Sequence, residues 1–310
     1  MEATRRSWRT SKVPFNLYDT VSEIQRKRNS LLCVGIDPDP KEIESDILIP
    51  WCCTIIDITY EYVCAYKFNL AFFESYGIQG LNGLYRILKH LLCSRRLHNE
   101  NKPPLLIGDG KCTDVPHTME KYAQAMFGDL ESFEKDLKKR SYLESFEKDL
   151  ESFEKDLESF ERGWGFDCCT VTPFCGRSSV QPFVDYKDKG TFVLCSPTSN
   201  DFTYINTHDI INDFANAGPN VGLIVGASRY DFLNYYNKEC SNKTFLIPGL
   251  GAQGAGVSEI KSTVREGNIF TFSRSIIYNK DPENKARYWR DTLNAIKDRR
   301  VTETENGAKE

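Results

Sequence analysis

The sequence lacks the marks of a secreted, membrane-bound or nucleic-acid-binding protein. Its basic start, Met1 to Lys12, has no long apolar run behind it, so we expect neither a secretory signal nor a membrane anchor. Its 11 cysteines are odd in number and show no CxxC spacing, which predicts reduced thiols serving as small hydrophobic side chains. The formal charge of -4 is not gathered into a basic stripe, so we expect no nucleic-acid partner. Together these absences predict a cytoplasmic protein without membrane contact.

The length and composition predict one enzyme-sized domain. The chain has 310 residues, of which 40% are apolar, and this is enough to bury one large core. We assign residues 1–20 to an N-terminal extension, residues 21–298 to the domain, and residues 299–310 to a polar C-terminal tail.

Residues 130–162 interrupt this domain with a heptad repeat. The motif LESFEKD occurs three times and is followed by an altered copy, LESFERG, so that Leu and Phe fall at the a and d positions of an amphipathic helix. Such a helix can fold back as a hairpin or pair with another chain. A low-complexity expansion tolerated at a surface loop explains the same pattern, and we favour that explanation.

Short apolar runs alternate with stretches of helical periodicity along the chain. Each run ends in polar, Gly or Pro residues, as strands do when a loop and a helix follow. The predicted strands are Leu31 to Ile36, Val63 to Asn69, Leu105 to Lys111, Cys168 to Thr172, Thr191 to Ser196, Val221 to Val225, Thr244 to Ile247 and Ile269 to Ser273. The predicted helices include Leu81 to Leu92, Ile205 to Phe214, Val257 to Arg265 and Glu283 to Ile296. The alternation predicts an α/β fold, a closed (β/α)8 barrel, with an open parallel sheet as the alternative.

Charged residues close several of the predicted strands, where a (β/α)8 barrel carries its chemistry. Strand three ends in DGKCTD, and side chains two apart on a strand share a face, so Asp109 and Lys111 are predicted to point into the barrel mouth. Asp114 follows on the loop, Lys67 closes the neighbouring strand, and Asp37 closes strand one. This predicts an alternating array of ammonium groups and carboxylates. Burying such an array is costly, which favours a functional site over the alternative of a structural polar plug.

The loops after the last two strands predict an anion site. Pro248 to Gly256 reads PGLGAQGAG between a strand and a helix, where backbone N–H groups can converge on an anion, and Arg274 follows the last strand. Gly249 to Gly254 also satisfies the GxGxxG pattern of nicotinamide enzymes. No acidic residue closes the next strand, however, so we disfavour that interpretation. A structural turn without a ligand is a further alternative, but it leaves Arg274 unexplained.

These motifs, in this order, resemble those of the orotidine monophosphate decarboxylase family, in its bacterial and protozoan branch. The matching stretches, from about Leu31 to Tyr278, are CVGIDPDP, YKFNLAFFESYG, IGDGKCTDVPHT, CTVTPFCGRSSVQPF, GTFVLCSPTSN, NVGLIVGAS, FLIPGLGAQG and FSRSIIY. The resemblance implies a (β/α)8 enzyme that converts orotidine 5'-monophosphate to UMP and CO2 in pyrimidine biosynthesis, with no metal and no organic cofactor. DxKxxD alone also occurs in related barrels, so a Mg2+-dependent sugar-phosphate aldolase or keto-acid decarboxylase is an alternative. A catalytically silent barrel scaffold is another.

The resemblance also implies roles for individual residues. Lys111 would donate the proton to C6, Asp109 would lie beside the substrate carboxylate, and Lys67 and Asp37 would lie near the ribose. In a homodimer, one subunit would reach into its partner's site with two residues, Asp114 and Thr118. Substrate contacts are further implied for Ser199 at the pyrimidine and for Gln253 and Arg274 at the phosphate, with Pro248 at the end of strand seven.

Two places depart from the family pattern. Gly110 stands where the family usually has a bulkier residue, which predicts a looser strand between the two charges. In CSPTSND one residue is inserted before TSN, and Asp201 replaces the usual Pro. The second departure bears directly on the role implied for Ser199.

Overall fold

The computed structural model describes residues 15–97, 102–128, 163–198, 206–251 and 259–307. Eight parallel strands form a closed barrel in chain order, β1-β2-β3-β4-β5-β6-β7-β8. The strands are β1 Leu32–Ile36, β2 Ala65–Asn69, β3 Leu105–Cys112, β4 Cys168–Val171, β5 Gly190–Ser196, β6 Val221–Val225, β7 Phe245–Ile247 and β8 Ile269–Phe272. The helices are α1 Leu17–Arg28, α2 Leu48–Thr59, α3 Leu70–Glu74, α4 Ile78–Leu97, α5 Pro116–Phe127, α6 Arg177–Val184, α7 Thr207–Ala215, α8 Tyr230–Glu239, α9 Arg274–Ile277 and α10 Pro282–Gly307. The predicted (β/α)8 barrel is therefore confirmed.

The strands divide their side chains between two layers of core. Parallel pairing sets Cys33 opposite Ala65 and Ile107 opposite Cys168, and these side chains form the smaller core inside the barrel. Residues at the alternate positions, such as Tyr66, belong to the larger core with residues of the helices. Because successive side chains on a strand point to opposite faces, each strand contributes side chains to both cores. Cys33 and Cys168 are free thiols here, as predicted for cysteines used as small hydrophobic side chains.

Helix α1 contributes to the core inside the barrel. The helix begins after Asn16, whose side chain accepts from the backbone N–H of Asp19 as an N-cap. Leu17 is 1% exposed and joins that core, so packed structure begins inside the segment assigned to an N-terminal extension, at 17 rather than 21.

The last helix also passes a predicted boundary. Helix α10 contains the predicted segment Glu283 to Ile296 and runs on to Gly307, into the segment assigned to a polar tail. Arg300 stabilises this extension because its Nη1 donates to the carbonyl of Val264 at 3.1 Å. None of the helices in the described ranges is long and apolar enough to cross a membrane.

One predicted helix is largely replaced by a turn. Of the predicted segment Val257 to Arg265, the structure describes residues from 259 onward, and there only Lys261–Thr263 forms a short 3-10 turn. The Thr263 hydroxyl donates to the carbonyl of Ile260 at 2.7 Å, and Asn268 donates to the carbonyl of Thr263 at 2.8 Å. These side chains take the hydrogen bonds that a continuing helix would have made with its own backbone.

The heptad segment, residues 130–162, lies outside the described residues, but the points where it leaves and rejoins the barrel are defined. Helix α5 ends at Phe127, and after the repeat the Trp164 N–H donates to the carbonyl of Ala125 at 2.7 Å. Helices of a (β/α)8 barrel run antiparallel to the strands, so this junction lies at the base of the barrel. The C-terminal strand ends with their charged residues lie at the opposite side.

Candidate active site

Three charged side chains from three neighbouring strands meet at the barrel mouth. Lys67 Nζ at the end of β2 lies 2.7 Å from Asp109 Oδ2 on β3 and 3.7 Å from Asp37 Oδ1 just beyond β1. Lys67 and Asp109 are only 5% and 6% exposed. Asp37 Oδ1 is buried and accepts no hydrogen bond from the described part of the chain. It therefore retains acceptor capacity for a bound molecule.

Lys111 completes the array from the solvent side. Its Nζ lies 2.7 Å from Asp109 Oδ1, and its side chain is 46% exposed, so this residue remains open to solvent at the barrel mouth. The backbone of Lys111 is left-handed, with φ of 43°, and the pairing of β3 with β4 shifts register between Gly108 and Cys112. Simple strand alternation correctly predicts that the two charges meet, but this β-bulge also sets their directions.

Thr170 on β4 belongs to the same cluster and was missed by the sequence analysis. Its hydroxyl donates to Asp109 Oδ1 at 2.8 Å and accepts from the backbone N–H of Lys111 at 2.9 Å. Asp109 therefore accepts from three donors, which together saturate most of its capacity. A signal was present, since Cys168 and Thr170 share a strand face and a buried threonine there points toward the end of strand three.

The electrostatics of the cluster keep Lys67 and Asp109 charged. Burial alone would raise the pKa of Asp109, but the ammonium groups of Lys67 and Lys111 lower it well below its ordinary value. Burial alone would lower the pKa of Lys67, but the carboxylates of Asp109 and Asp37 raise it above its ordinary value. Below them, burial raises the pKa of the Cys33 thiol to about 12, so the floor of the site is neutral. Lys67 and Asp109 thus carry opposite charges at neutral pH.

Asp114 and Thr118 lie beside this cluster without joining it. The Asp114 carboxylate accepts from the neighbouring N–H of Val115 at 2.7 Å and makes no ion pair within the described residues. Thr118 lies in the first turn of α5 and is half-buried. Of the two further acids in the predicted array, Asp37 joins the described cluster and Asp114 does not.

Part of the predicted anion site follows β8, the strand that closes the barrel by pairing with β1. Arg274 is exposed at the start of α9, directly after Ser273. A side chain on Gly35 of β1 would overlap Ser273 Oγ and reach within 3.4 Å of Asp37 Oδ2, so these loops approach closely at the mouth. The Arg274 loop and the carboxylate cluster therefore share one end of the barrel.

The loop after β7 packs against α9, the helix that begins with Arg274. Pro248 is half-buried and accepts from the N–H of Ala227 at 2.9 Å. Gly251, with φ of 82°, leaves no room for a side chain because its Cβ would lie 2.8 Å from Ser275 Oγ. Ser275 Oγ is buried without a hydrogen-bond partner in the ranges that the structure describes. Two other predicted contacts, Ser199 and Gln253, lie outside those ranges.

A second residue that the sequence analysis did not identify as functional is Tyr278. Its hydroxyl donates to the carbonyl of Asp37 at 3.1 Å and accepts from the N–H of Asp39 at 2.7 Å. Trp51 stacks on its ring at a centroid distance of 5.5 Å. Tyr278 thus fixes the loop that carries Asp37, from the end of the helix that begins with Arg274.

The glycine between the two charges is exposed, but its Cα lies close to three side chains. A Cβ on Gly110 would lie 2.6 Å from Met126 Cε and 3.1 Å from Cys112 Sγ. The volume that a bulkier residue would fill is therefore occupied by Met126, with Leu70 a further neighbour. The β3–β4 pairing shifts register between Gly108 and Cys112, around this glycine, and the looser strand stays a prediction.

A closed barrel with paired lysines and carboxylates at its C-terminal strand ends is a (β/α)8 barrel of the enzyme type. The model of the orotidine 5'-phosphate decarboxylase / HUMPS family matches residues 30–133. The orotidine 5'-phosphate decarboxylase of Dehalococcoides mccartyi strain 195 is 30% identical over 314 residues, covering 91% of this chain and 98% of the relative. That of Roseiflexus castenholzii is 28% identical over 310 residues, covering 90% and 98%. The chain belongs to the orotidine 5'-phosphate decarboxylase family.

Solved structures agree on the fold. An OMP decarboxylase from Leishmania donovani has a TM-score of 0.66 at 24% identity, covering 91% of this chain and 98% of that one. The orotidine 5'-monophosphate decarboxylase of Methanocaldococcus jannaschii, complexed with the inhibitor BMP, has a TM-score of 0.58 at 19% identity, covering 85% and 98%.

Proposed function

We propose that this chain decarboxylates orotidine 5'-monophosphate to UMP and CO2. The observation that carries the proposal is the array of Asp37, Lys67, Asp109 and Lys111 at the barrel mouth, with Lys67 and Asp109 buried, in a member of this family. Loss of CO2 leaves an electron pair on ring carbon C6, which has no conjugated acceptor. A fixed cation next to that carbon is the feature such a reaction needs.

Lys111 is the proposed proton donor. Its ammonium borders the pocket while Asp109 holds it at 2.7 Å. When the C6–carboxylate bond breaks, its electrons stay on C6 and are stabilised by this charge. The carbon then takes a proton from the ammonium, leaving a neutral amine that solvent reprotonates.

Asp109 and Lys67 are proposed to set the field around the reacting carbon. The lowered pKa of Asp109 keeps a negative charge where the substrate carboxylate would lie, and their repulsion is relieved as neutral CO2 leaves. Lys67 balances this charge from beneath, and the free acceptor of Asp37 suits a ribose hydroxyl.

The other end of the pocket is proposed to hold the phosphate. Arg274 supplies a guanidinium, and Ser275 supplies a buried hydroxyl beside the glycine loop after β7. We assign the remaining phosphate and ring contacts to Gln253, Pro248 and Ser199. Binding energy from phosphate, far from C6, would then orient the ring over Lys111.

We also propose a homodimer in which Asp114 and Thr118 enter the partner's site. An apolar surface flanks them, since Val115 is 57% exposed and Phe174 is 70% exposed. The two loops that carry these residues touch, because the Thr113 hydroxyl lies 3.9 Å from Cys175 Sγ. Exposed apolar side chains next to a polar residue without an ion pair support an interface between copies.

A cytoplasmic location is proposed from the thiols. Cys33, Cys64 and Cys168 are buried as free thiols in the core inside the barrel, which suits a reducing compartment.

The decisive experiment follows orotidylate absorbance with wild type, Lys111→Ala and the exposed-lysine control Lys187→Ala. Wild type and control should turn over, whereas Lys111→Ala should lose at least about a thousandfold in kcat because both charge stabilisation and the proton are removed. A wild type that leaves orotidylate unchanged would contradict the proposed function. A nearly unaffected Lys111→Ala enzyme would contradict the role of Lys111.

Two further measurements test the remaining parts. Mixing inactive Lys111→Ala and Asp114→Ala chains should restore part of the activity through mixed dimers; no recovery, with mixed dimers present, would exclude the shared site.

In the described residues no group of three or more His, Cys, Asp or Glu side chains could hold a metal ion. Loss of activity in EDTA with recovery in Mg2+ would instead favour the sugar-phosphate alternative.

A further inference from the structure

We propose that Thr170 is a positioning residue that holds Lys111 in its reactive geometry, an inference that rests on the proposed decarboxylation. Thr170 carries no charge and is 1% exposed on β4. Its hydroxyl nevertheless contacts both residues on which the proton transfer depends.

The direction of each hydrogen bond is fixed by chemistry. A backbone N–H can only donate, so the Thr170 oxygen accepts from Lys111 N at 2.9 Å. The single hydroxyl proton is then available for Asp109 Oδ1 at 2.8 Å. Both partners are satisfied at once, and neither hydrogen bond can reverse.

The first bond stabilises an unusual backbone. Lys111 has a φ of 43°, which costs a non-glycine residue free energy, and the β3–β4 ladder shifts register around it. The Lys111 N–H is consequently paired with a side-chain oxygen. Thr170 thus supplies the acceptor that the bulge requires.

The second bond constrains the other end of the same lysine. Asp109 Oδ1 accepts from both the Thr170 hydroxyl and Lys111 Nζ, the latter at 2.7 Å. Oδ2 is left to Lys67, also at 2.7 Å. The Thr170 hydroxyl therefore fixes the rotation of the Asp109 carboxylate, so that each oxygen faces its own ammonium.

Thr170 is itself rigidly held, as a positioning residue must be. It pairs with Phe192 in the parallel β4–β5 register, and β4 is buried along its whole length. Lys111 is thereby tied to the barrel at its main chain directly and at its ammonium through Asp109.

The test compares Thr170→Val, which keeps the shape and removes the hydroxyl, with Thr170→Ser, which keeps the hydroxyl. Thr191→Val is the matched control, because Thr191 is 0% exposed on β5 and its hydroxyl has no partner within the described residues. We expect kcat of Thr170→Val to fall about ten- to a hundredfold, while KM changes less than about threefold. Thr170→Ser and Thr191→Val should stay within about threefold of wild type in both constants.

A purely structural role would lower the folded fraction without changing kcat per folded molecule, so circular dichroism and thermal melting accompany the kinetics. A Thr170→Val kcat within about twofold of wild type overturns the inference. If Thr170→Val does not fold, Thr170→Cys, with its weaker hydrogen bonds, should show the same selective loss of kcat. Equal kcat for Thr170→Cys and wild type would also overturn it.

Crystal structures of wild type and Thr170→Val, or Thr170→Cys if the valine variant does not fold, separate this inference from the proposed function. We expect the hydroxyl-deleted protein to lose the left-handed conformation at Lys111 or the contact between Lys111 Nζ and Asp109 Oδ1. Retention of both overturns the positioning role, whatever the enzyme does with orotidylate. Loss of this geometry in an enzyme that never acts on orotidylate would instead count against the proposed function alone.

Discussion

Replacing Lys67 with methionine removes the buried cation while keeping most of its apolar stem. In the native site Lys67 Nζ lies 2.7 Å from Asp109 Oδ2, and both residues are at most 6% exposed. Breaking a buried pair costs about 3–5 kcal/mol, because a charge stays buried without its partner. Asp109 keeps its contacts to Lys111 and Thr170, so we expect the lower end, about 3 kcal/mol of unfolding free energy.

Chemical denaturation measures this loss directly, and thermal melting provides a check. A domain of this size shifts by roughly 2–4 °C per kcal/mol, so the melting temperature should fall by about 6–12 °C. Lys187→Met is the matched control, because Lys187 and Asp185 form an exposed pair at 3.6 Å. Exposed pairs contribute less than about 1 kcal/mol, so the control should melt close to wild type.

The pH dependence identifies the carboxylate responsible. The pKa of Asp109 is lowered in the folded protein, so its ionised form stabilises the fold above its unfolded pKa. That stabilisation is lost as pH falls below about 4, where Asp109 becomes protonated in the unfolded chain. The difference between wild type and Lys67→Met should therefore be largest near neutrality and shrink in acid. A loss below about 1 kcal/mol at neutral pH, or one independent of pH, would refute the reasoning.

Three other changes probe the surroundings of the cluster. Tyr278→Phe removes the hydroxyl that donates to the Asp37 carbonyl. We expect the free energy of unfolding to fall by about 1 kcal/mol and the KM for orotidylate to rise. Unchanged values would show that the Asp37 loop keeps its conformation without this hydrogen bond. Gly35→Ala should destabilise the fold by about 1–3 kcal/mol, because the new methyl group overlaps Ser273 Oγ; a melting curve like that of wild type would contradict this overlap. Deleting residues 130–162 should leave kcat and KM within about twofold, and a changed mass in light scattering would reveal self-association.

The sequence predicted the strands well because both faces of each are buried. A strand such as Cys168–Val171 is an uninterrupted apolar and β-branched run, and polar residues mark its ends. The meeting of Lys67, Asp109 and Lys111 followed from the same register, since parallel strands of a barrel end at one rim. These parts depend on local pattern and on one topological rule.

Other features depend on contacts between residues distant in sequence, which periodicity does not encode. The end of the predicted helix Val257 to Arg265 became a turn because Asn268 and Thr263 took its hydrogen bonds. The Lys111 N–H at the bulge is paired with Thr170, more than fifty residues later, and Gly110 lies next to Met126 of α5. The first turn of α1 lies before the boundary set at residue 20, because the many charged residues of this helix outnumber Leu17 and the few other apolar residues that it packs into the core inside the barrel.

The junction at the foot of α5 has a consequence for how such a chain can change over time. A Cβ on Gly163 would lie 2.8 Å from the Gly128 Cα, so the polypeptide departs and returns through a single gap. Each doubling of the intervening length costs only about 0.6 kcal/mol of closure entropy, so whole copies of the repeat can be gained or lost cheaply. An insertion at this gap lies at the end of the barrel opposite the charged cluster. We therefore expect changes in its length to have little effect on turnover and to be tolerated by selection.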